Sequence, residues 1–122
     1  MSLDISLHQE AEYNTEVYEA NITHNLGKMA GAVLCFGIEN DDPYENKYIT
    51  LYDMLWHGSG QSAKVITPML EVGLHELKEN REIYEEYNPK NGWGNWEHLV
   101  LFTSGLLEAC KAFPETTLWC HR

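Results

Sequence analysis

The chain has 122 residues, of which 19 are acidic and eight are basic, giving a formal net charge of −11. A chain of this length can bury one hydrophobic core, so we expect residues 1–122 to form a single domain. No run approaches ~18 apolar residues and no basic segment precedes an apolar one, which predicts neither a membrane span nor a signal peptide. The three cysteines lack CxxC spacing, which indicates a reducing compartment, and we expect a cytoplasmic protein.

The acidic residues are unevenly distributed. Residues 1–27 contain no lysine or arginine, and further acidic clusters lie at 39–45 and 76–86. Binding to nucleic acid requires clustered basic residues, so we expect no direct contact with a duplex. An acidic surface is compatible with simple solubility, with docking on a basic partner, or with mimicry of a nucleic acid.

The first predicted elements are two strands. In "SLDISLH", residues 2–8, Leu3, Ile5 and Leu7 alternate with polar residues, which is typical of a half-buried strand. Residues 15–21 read as the returning strand of a hairpin. The register stays open, because Val17 and Tyr18 point to opposite faces and only one of them can face the core.

A central helix is predicted next. Its apolar residues recur with helical spacing and form one stripe: Ile22, Leu26, Met29, Ala30, Val33 and Leu34. Asn21 or Thr23 is suited to be its N-cap, and Gly27 and Gly31 lie one turn apart.

The rest of the chain predicts a loop, two long helices and a strand. The loop spans 37–47, and a short element with Leu51, Leu55 and Trp56 in the core follows. One long helix covers 62–80 and is either kinked at Pro68 or restarted with Thr67 as cap; its inward residues are Ile66, Met69, Leu70, Leu74 and Leu77. The other runs from Asn95 to Ala112, and residues at three- and four-residue spacing form its apolar face: Trp96, Leu99, Val100, Thr103, Leu106, Leu107 and Cys110. Residues 116–121 can add a third strand to the hairpin. The predicted fold is α+β, with about four helices packed on a small antiparallel sheet.

No standard enzyme motif occurs: GxxxxGKS/T, GxGxxG, HExxH and GxSxG are all missing from the sequence. We therefore expect no cofactor, and the sequence favours binding over catalysis. A metal site built from His24, His57 and His98 would need three separate elements to converge, and no local spacing supports it, so we predict no metal.

The first candidate site is "NITHN", residues 21–25. Asn21, Thr23, His24 and Asn25 can simply cap a helix and close a turn, because such side chains compete for backbone groups. Alternatively, the N–H groups and dipole at a helix start attract an anion without any lysine or arginine. Thr23 and His24 would then bind a phosphate or carboxylate, and Asn25 would contact a base or amide edge.

The second candidate site is "NGWGNW", residues 91–96. Asn91 and two glycines favour a tight turn that carries Trp93, and Asn95 begins the last helix. Trp93 either covers the core or stacks on a planar ligand, as Trp56 would if the two segments line one pocket.

Three segments resemble a family of small proteins of bacteriophage and bacterial genomes: "ANITHNLGKMA", "NGWGNW" and "LLEACKAFPE". The resemblance covers most of the chain except about 35–50. The residues from Gly31 to Gly37 and the "LWHG" segment depart from the family pattern. The resemblance implies a phage or mobile-element setting, and with it the cytoplasm of a bacterial host as the expected location. It brings no activity with it.

These features lead to three functional hypotheses. The first is a non-enzymatic protein that binds or sequesters a small, nucleotide-like anion at Asn21–Asn25. The alternative is an acidic inhibitor or nucleic-acid mimic that docks on a basic host protein. The third is a small hydrolase with His24 as general base, oriented by Glu19 or Asn21. A homo-oligomer is also considered, with apolar contacts from Tyr84, Tyr87, Leu101 and Trp119.

Overall fold

The structure is a computed structural model, and it describes residues 3–10, 14–23, 26–38, 47–57, 59–88, 90 and 95–121. Ten elements follow one another along the chain: β1 (Leu3–Glu10), β2 (Asn14–Ile22), α1 (Gly27–Ala30), β3 (Leu34–Ile38), β4 (Lys47–Thr50), α2 (Leu51–His57), α3 (Ala63–Glu79), α4 (Arg81–Glu85), α5 (Trp96–Ala112) and β5 (Thr117–His121). The α+β prediction is confirmed, with five helices where about four were expected.

The three-stranded antiparallel sheet has the order β2-β1-β5, which confirms both the hairpin and the C-terminal strand. Leu3 pairs with Ile22 and Leu7 with Tyr18, after which the register shifts so that His8 faces Glu16. Val17 is therefore the extra residue of a β-bulge, and Tyr18 lies opposite Leu7 on the inner face. Alternation along β1 buries Leu3, Ile5 and Leu7, as predicted.

The predicted central helix over 22–34 is wrong. Ile22 ends β2, α1 is a single turn, and Leu34 already belongs to β3. Neither Asn21 nor Thr23 is an N-cap, because α1 begins after Leu26 and that position has no side-chain cap. The apolar stripe is nevertheless buried up to Val33, so the spacing identified core residues and misassigned their backbone. Pairing of Ile22 in the sheet outweighs helix propensity, which glycines lower by about 1 kcal/mol each.

A second hairpin, β3–β4, was missed by the sequence prediction. Leu34 pairs with Thr50 and Ile38 with Lys47 in antiparallel register. The sequence prediction places Leu34 at the end of the central helix and begins the loop at Gly37. Residues 39–46, which include the acidic cluster at 39–45, lie outside the described residues.

The two long helices are confirmed. α3 is continuous through Pro68, so it neither restarts there nor uses Thr67 as a cap, and the Thr67 hydroxyl instead donates to the carbonyl of Ala63 at 2.8 Å. A separate short helix, α4, begins directly after Asn80. Of the predicted apolar face of α5, Val100 is half-buried and the other six residues are buried: Trp96, Leu99, Thr103, Leu106, Leu107 and Cys110.

The helices cover the inner face of the three-stranded sheet. Gly105 of α5 lies against Tyr18 of β2, and the thiol of Cys120 in β5 donates to the carbonyl of Leu55 in α2 at 2.7 Å. Leu55 is buried, and Trp56 is only half-buried against the core. The opposite face of this sheet carries the polar residues of its strands.

Of the four residues considered for homo-oligomer contacts, Tyr84 does not qualify, because it is only 5% exposed. Its hydroxyl donates to Glu76 at 2.8 Å. Tyr87, Trp119 and Leu101 are exposed, and Leu101 has the largest exposed fraction, 69%, of the described apolar side chains. Within the part of the chain that the structure describes, no helix combines the length and apolar character needed to cross a membrane.

Candidate functional site

The polar face of the three-stranded sheet, here called the outer sheet face, forms the best-defined surface site. Three cross-strand rows follow from the register: Asn21–Asp4–His121, Glu19–Ser6–Trp119 and Glu16–His8–Thr117. Because side chains alternate along strands, all nine residues lie on the side away from the helices. An open hollow of about 680 Å³ lies on this face, and seven of the nine line it: Asp4, Ser6, His8, Glu16, Glu19, Asn21 and His121.

Three hydrogen bonds organise the face. The Asn21 amide donates to the carboxylate of Asp4 and, at 3.4 Å, to the carbonyl of Leu3. The Ser6 hydroxyl and Nε2 of His8 are joined at 2.9 Å, and Ser6 is only 7% exposed. The centre of the face is therefore held in place, while the carboxylates of Glu16 and Glu19 are exposed to solvent.

The charge of the outer sheet face is one-sided. It carries Asp4, Glu16 and Glu19, and β1, β2 and β5 contain no lysine or arginine. Lys64, Arg81 and Lys111 instead pair with carboxylates of the helices or of Glu115, which follows α5. The helices thus hold ion pairs, whereas the sheet presents negative charge without an interspersed cation of its own. Such a surface attracts cationic groups and repels anions.

The Ser6–His8 pair lies on a strand whose backbone N–H groups are not directed at it. Acyl transfer requires N–H donors that point at the developing oxyanion. Ser6 lies in the middle strand, β1, which pairs with β2 on one side and with β5 on the other. The backbone N–H groups of a central strand point along the sheet to its neighbours and not out of its face.

Four of the eight predicted site residues lie in the described part of the chain: Asn21, Thr23, Trp56 and Asn95. Asn21 lines the hollow, but Thr23, Trp56 and Asn95 do not. Thr23 is half-buried after β2, and its carbonyl accepts a hydrogen bond from Leu26 at 2.9 Å. The Asn95 side chain accepts from the backbone N–H of His98 at 3.0 Å, so it caps α5. His24, Asn25, Asn91 and Trp93 lie outside the described residues.

The three cysteine thiols are buried within the core and are all free. Burial raises the pKa of Cys35 and of Cys120 to about 12 and that of Cys110 to about 11. A thiol that stays protonated is a poor nucleophile and a poor metal ligand. Among the described residues, no group of three or more His, Cys, Asp or Glu side chains is arranged to hold a metal ion.

The sequence analysis missed most of the outer sheet face. The alternation of Leu3, Ile5 and Leu7 already implied that Asp4, Ser6 and His8 share the opposite face. What alternation does not reveal is that β5 joins the other side of β1, which brings Trp119 and His121 to the same surface. Comparison of the chain with family models, with curated proteins and with solved structures found no match.

Proposed function

We propose that the protein is a non-enzymatic binding protein that docks on a basic protein through its outer sheet face. The observation that carries the proposal is the combination of three carboxylates with strands that contain no lysine or arginine. Asp4, Glu16 and Glu19 lie around an open hollow, where the cationic side chains of a partner can reach all three. Complementary charge speeds association and selects among partners.

An inhibitor or nucleic-acid mimic is the form of this function that we favour. Proteins that bind nucleic acids present basic surfaces, and carboxylates on a rigid sheet can occupy the positions of phosphates. A phage or mobile-element setting, which the resemblance implies, suits a small protein that blocks such a host surface.

The observations do not favour the nucleotide-like ligand of the first hypothesis. The anion site required a long helix beginning near Ile22, and α1 has four residues beginning at Gly27. Asn21 lies beside Asp4 on a face whose carboxylates oppose an anion. The hydrolase hypothesis depended on His24, and its two orienting candidates, Glu19 and Asn21, both belong to the outer sheet face.

The proposal is tested with two variants of equal net charge. The sheet variant carries Asp4→Asn, Glu16→Gln and Glu19→Gln, and the helix variant carries Glu79→Gln, Glu82→Gln and Glu108→Gln, all exposed positions. The probe is a fluorescent peptide of alternating lysine and valine with blocked ends, and binding is measured by anisotropy at low and physiological salt.

We expect the sheet variant to bind the peptide at least ~10-fold more weakly and the helix variant to stay within ~3-fold of the unmodified protein. Surface ion pairs contribute up to about 1 kcal/mol each, and three of them give this range. Added salt should weaken peptide binding by the unmodified protein more than binding by the variants. Equal losses in the two variants would contradict the proposal, because attraction would then follow total charge and not this face.

A further inference from the structure

The two outer strands of the three-stranded sheet, β2 and β5, have different surroundings. β5 is covered by residues 59–62: the carbonyl of Leu118 accepts from Gly60 at 2.7 Å, and its N–H donates to Gln61 at 2.9 Å. β2 is the other outer strand, and among the described residues it pairs only with β1. An outer strand of this kind presents one row of backbone donors and acceptors to another chain.

The regular part of β2 is the section Tyr18–Ile22, which forms five successive pairs with β1 before the bulge at Val17. A bulge twists the strand and interrupts any ladder formed on it. An added strand would therefore pair along Tyr18–Ile22, the section whose outer-face residues are Glu19 and Asn21. In the neighbouring strand β1, Ser6 lies directly opposite Glu19 and Asp4 directly opposite Asn21.

Charge decides which kind of strand this edge accepts. A second copy of the chain would bring its own Glu16 and Glu19 to the same edge and would join two molecules of net charge −11. Like charges placed opposite one another across a strand pair are unfavourable, whereas opposite charges stabilise it. The edge therefore disfavours self-pairing and selects lysine or arginine on the outer side of an incoming strand.

The inner side of an incoming strand meets a different surface. Tyr18 lies against Gly105 of α5, so α5 passes beneath β2. Leu101 lies one helical turn before Gly105 on the same side of α5, and it is 69% exposed. An apolar residue on the inner side of an added strand would cover this leucine.

From these observations, and resting on the proposed function, we infer that the basic partner binds by adding an extended strand to Tyr18–Ile22 of β2. In that strand, lysine or arginine residues face Glu19 and the outer sheet face, and the alternate apolar residues face Leu101. Main-chain hydrogen bonds give such complexes much of their affinity, and the alternating side chains give specificity.

Two N-methylated forms of the lysine–valine peptide test the inference. One carries N-methyl groups on alternate residues at the lysines, the other at the valines, and both keep the same charge. An added antiparallel strand uses the N–H groups of alternate residues, so one form should bind at least ~10-fold more weakly than the other. Equal affinity of the two forms would overturn strand addition. If the sheet variant still bound more weakly than the helix variant in that case, the proposed function would stand.

A pair of exposed aliphatic residues supplies the second test. Leu101→Ala should weaken binding of the unmethylated peptide by ~3–10-fold, and Ile83→Ala, at an exposed position of α4, should leave it unchanged. Equal effects of the two substitutions would overturn the placement of the inner side. Sedimentation of the protein without peptide should give a monomer. A dimer that the peptide does not dissociate would assign the edge to a second copy and overturn the inference.

Discussion

Substitution of Gly73 by alanine tests how closely α3 packs on the β3–β4 hairpin. A Cβ atom added at Gly73 would lie 2.8 Å from the sulfur of Cys35 and 3.8 Å from side-chain atoms of Leu51 and Val33. The first distance is shorter than any normal contact. The sulfur has little room to retreat, because Cys35 is 1% exposed and Leu51 and Val33 are fully buried.

The expected change in stability combines two opposing effects. Overpacking in a core costs about 1–3 kcal/mol, while alanine stabilises a helix interior by about 1 kcal/mol relative to glycine. We expect Gly73→Ala to lower the free energy of unfolding by about 1 kcal/mol. In a Cys35→Ala background the sulfur is gone, and the same substitution should raise stability by up to about 1 kcal/mol.

Urea unfolding followed by tryptophan fluorescence and circular dichroism measures all four proteins of this double-mutant cycle. Gly27→Ala is the control, because nothing lies within 4 Å of a Cβ atom at that position. It should be neutral or slightly stabilising. If Gly73→Ala costs the same free energy with and without the sulfur of Cys35, the close packing of α3 on β3 is wrong.

Two further predictions concern the thiols and the cap of α5. Burial raises the pKa of Cys35 from about 9 to about 12, so between these pH values the unfolded chain releases a proton that the folded chain keeps. The contribution of this thiol to the free energy of unfolding is therefore complete below pH ~9 and falls as the pH rises, by up to about 1.4 kcal/mol per pH unit. Cys35→Ala should make the decline of stability with pH less steep, and an unchanged slope would refute this prediction. Asn95→Ala should lower the free energy of unfolding by about 1 kcal/mol and Asn95→Gly by only a few tenths, because the Asn95 side chain accepts a hydrogen bond from His98 and glycine tolerates the cap conformation. Equal losses for the two variants in thermal unfolding would show that the cap contributes nothing.

The strongest periodic patterns predicted β1 and the long helices correctly. Leu3, Ile5 and Leu7 fixed the inner face of β1, and the three- and four-residue spacing from Trp96 to Cys110 located α5. Ile22 to Leu34 matched the helical period equally well, yet this segment contains the end of β2, one helical turn and the start of β3. A short apolar run satisfies more than one backbone arrangement, and the partner strands decide among them.

The candidate site, too, was only partly predictable from the sequence. Asp4, Ser6 and His8 could be placed on one face from alternation alone, because a strand directs every second side chain to the same side. Trp119 and His121 joined that face only through pairing of β5 with β1, more than a hundred residues along the chain. Asn21 was singled out for a helix start and lies instead on the acidic sheet, where its amide contacts Asp4.

The sequence by itself determined the α+β composition, the core residues of β1, α3 and α5, and the acidic character of the first 27 residues, because periodicity and charge are local properties. The tertiary structure decided the strand order β2-β1-β5, the bulge at Val17 and the placement of the carboxylates on one open face. These features depend on backbone hydrogen bonds between segments that are distant in the chain. The pattern of neighbouring residues does not specify which distant segments pair.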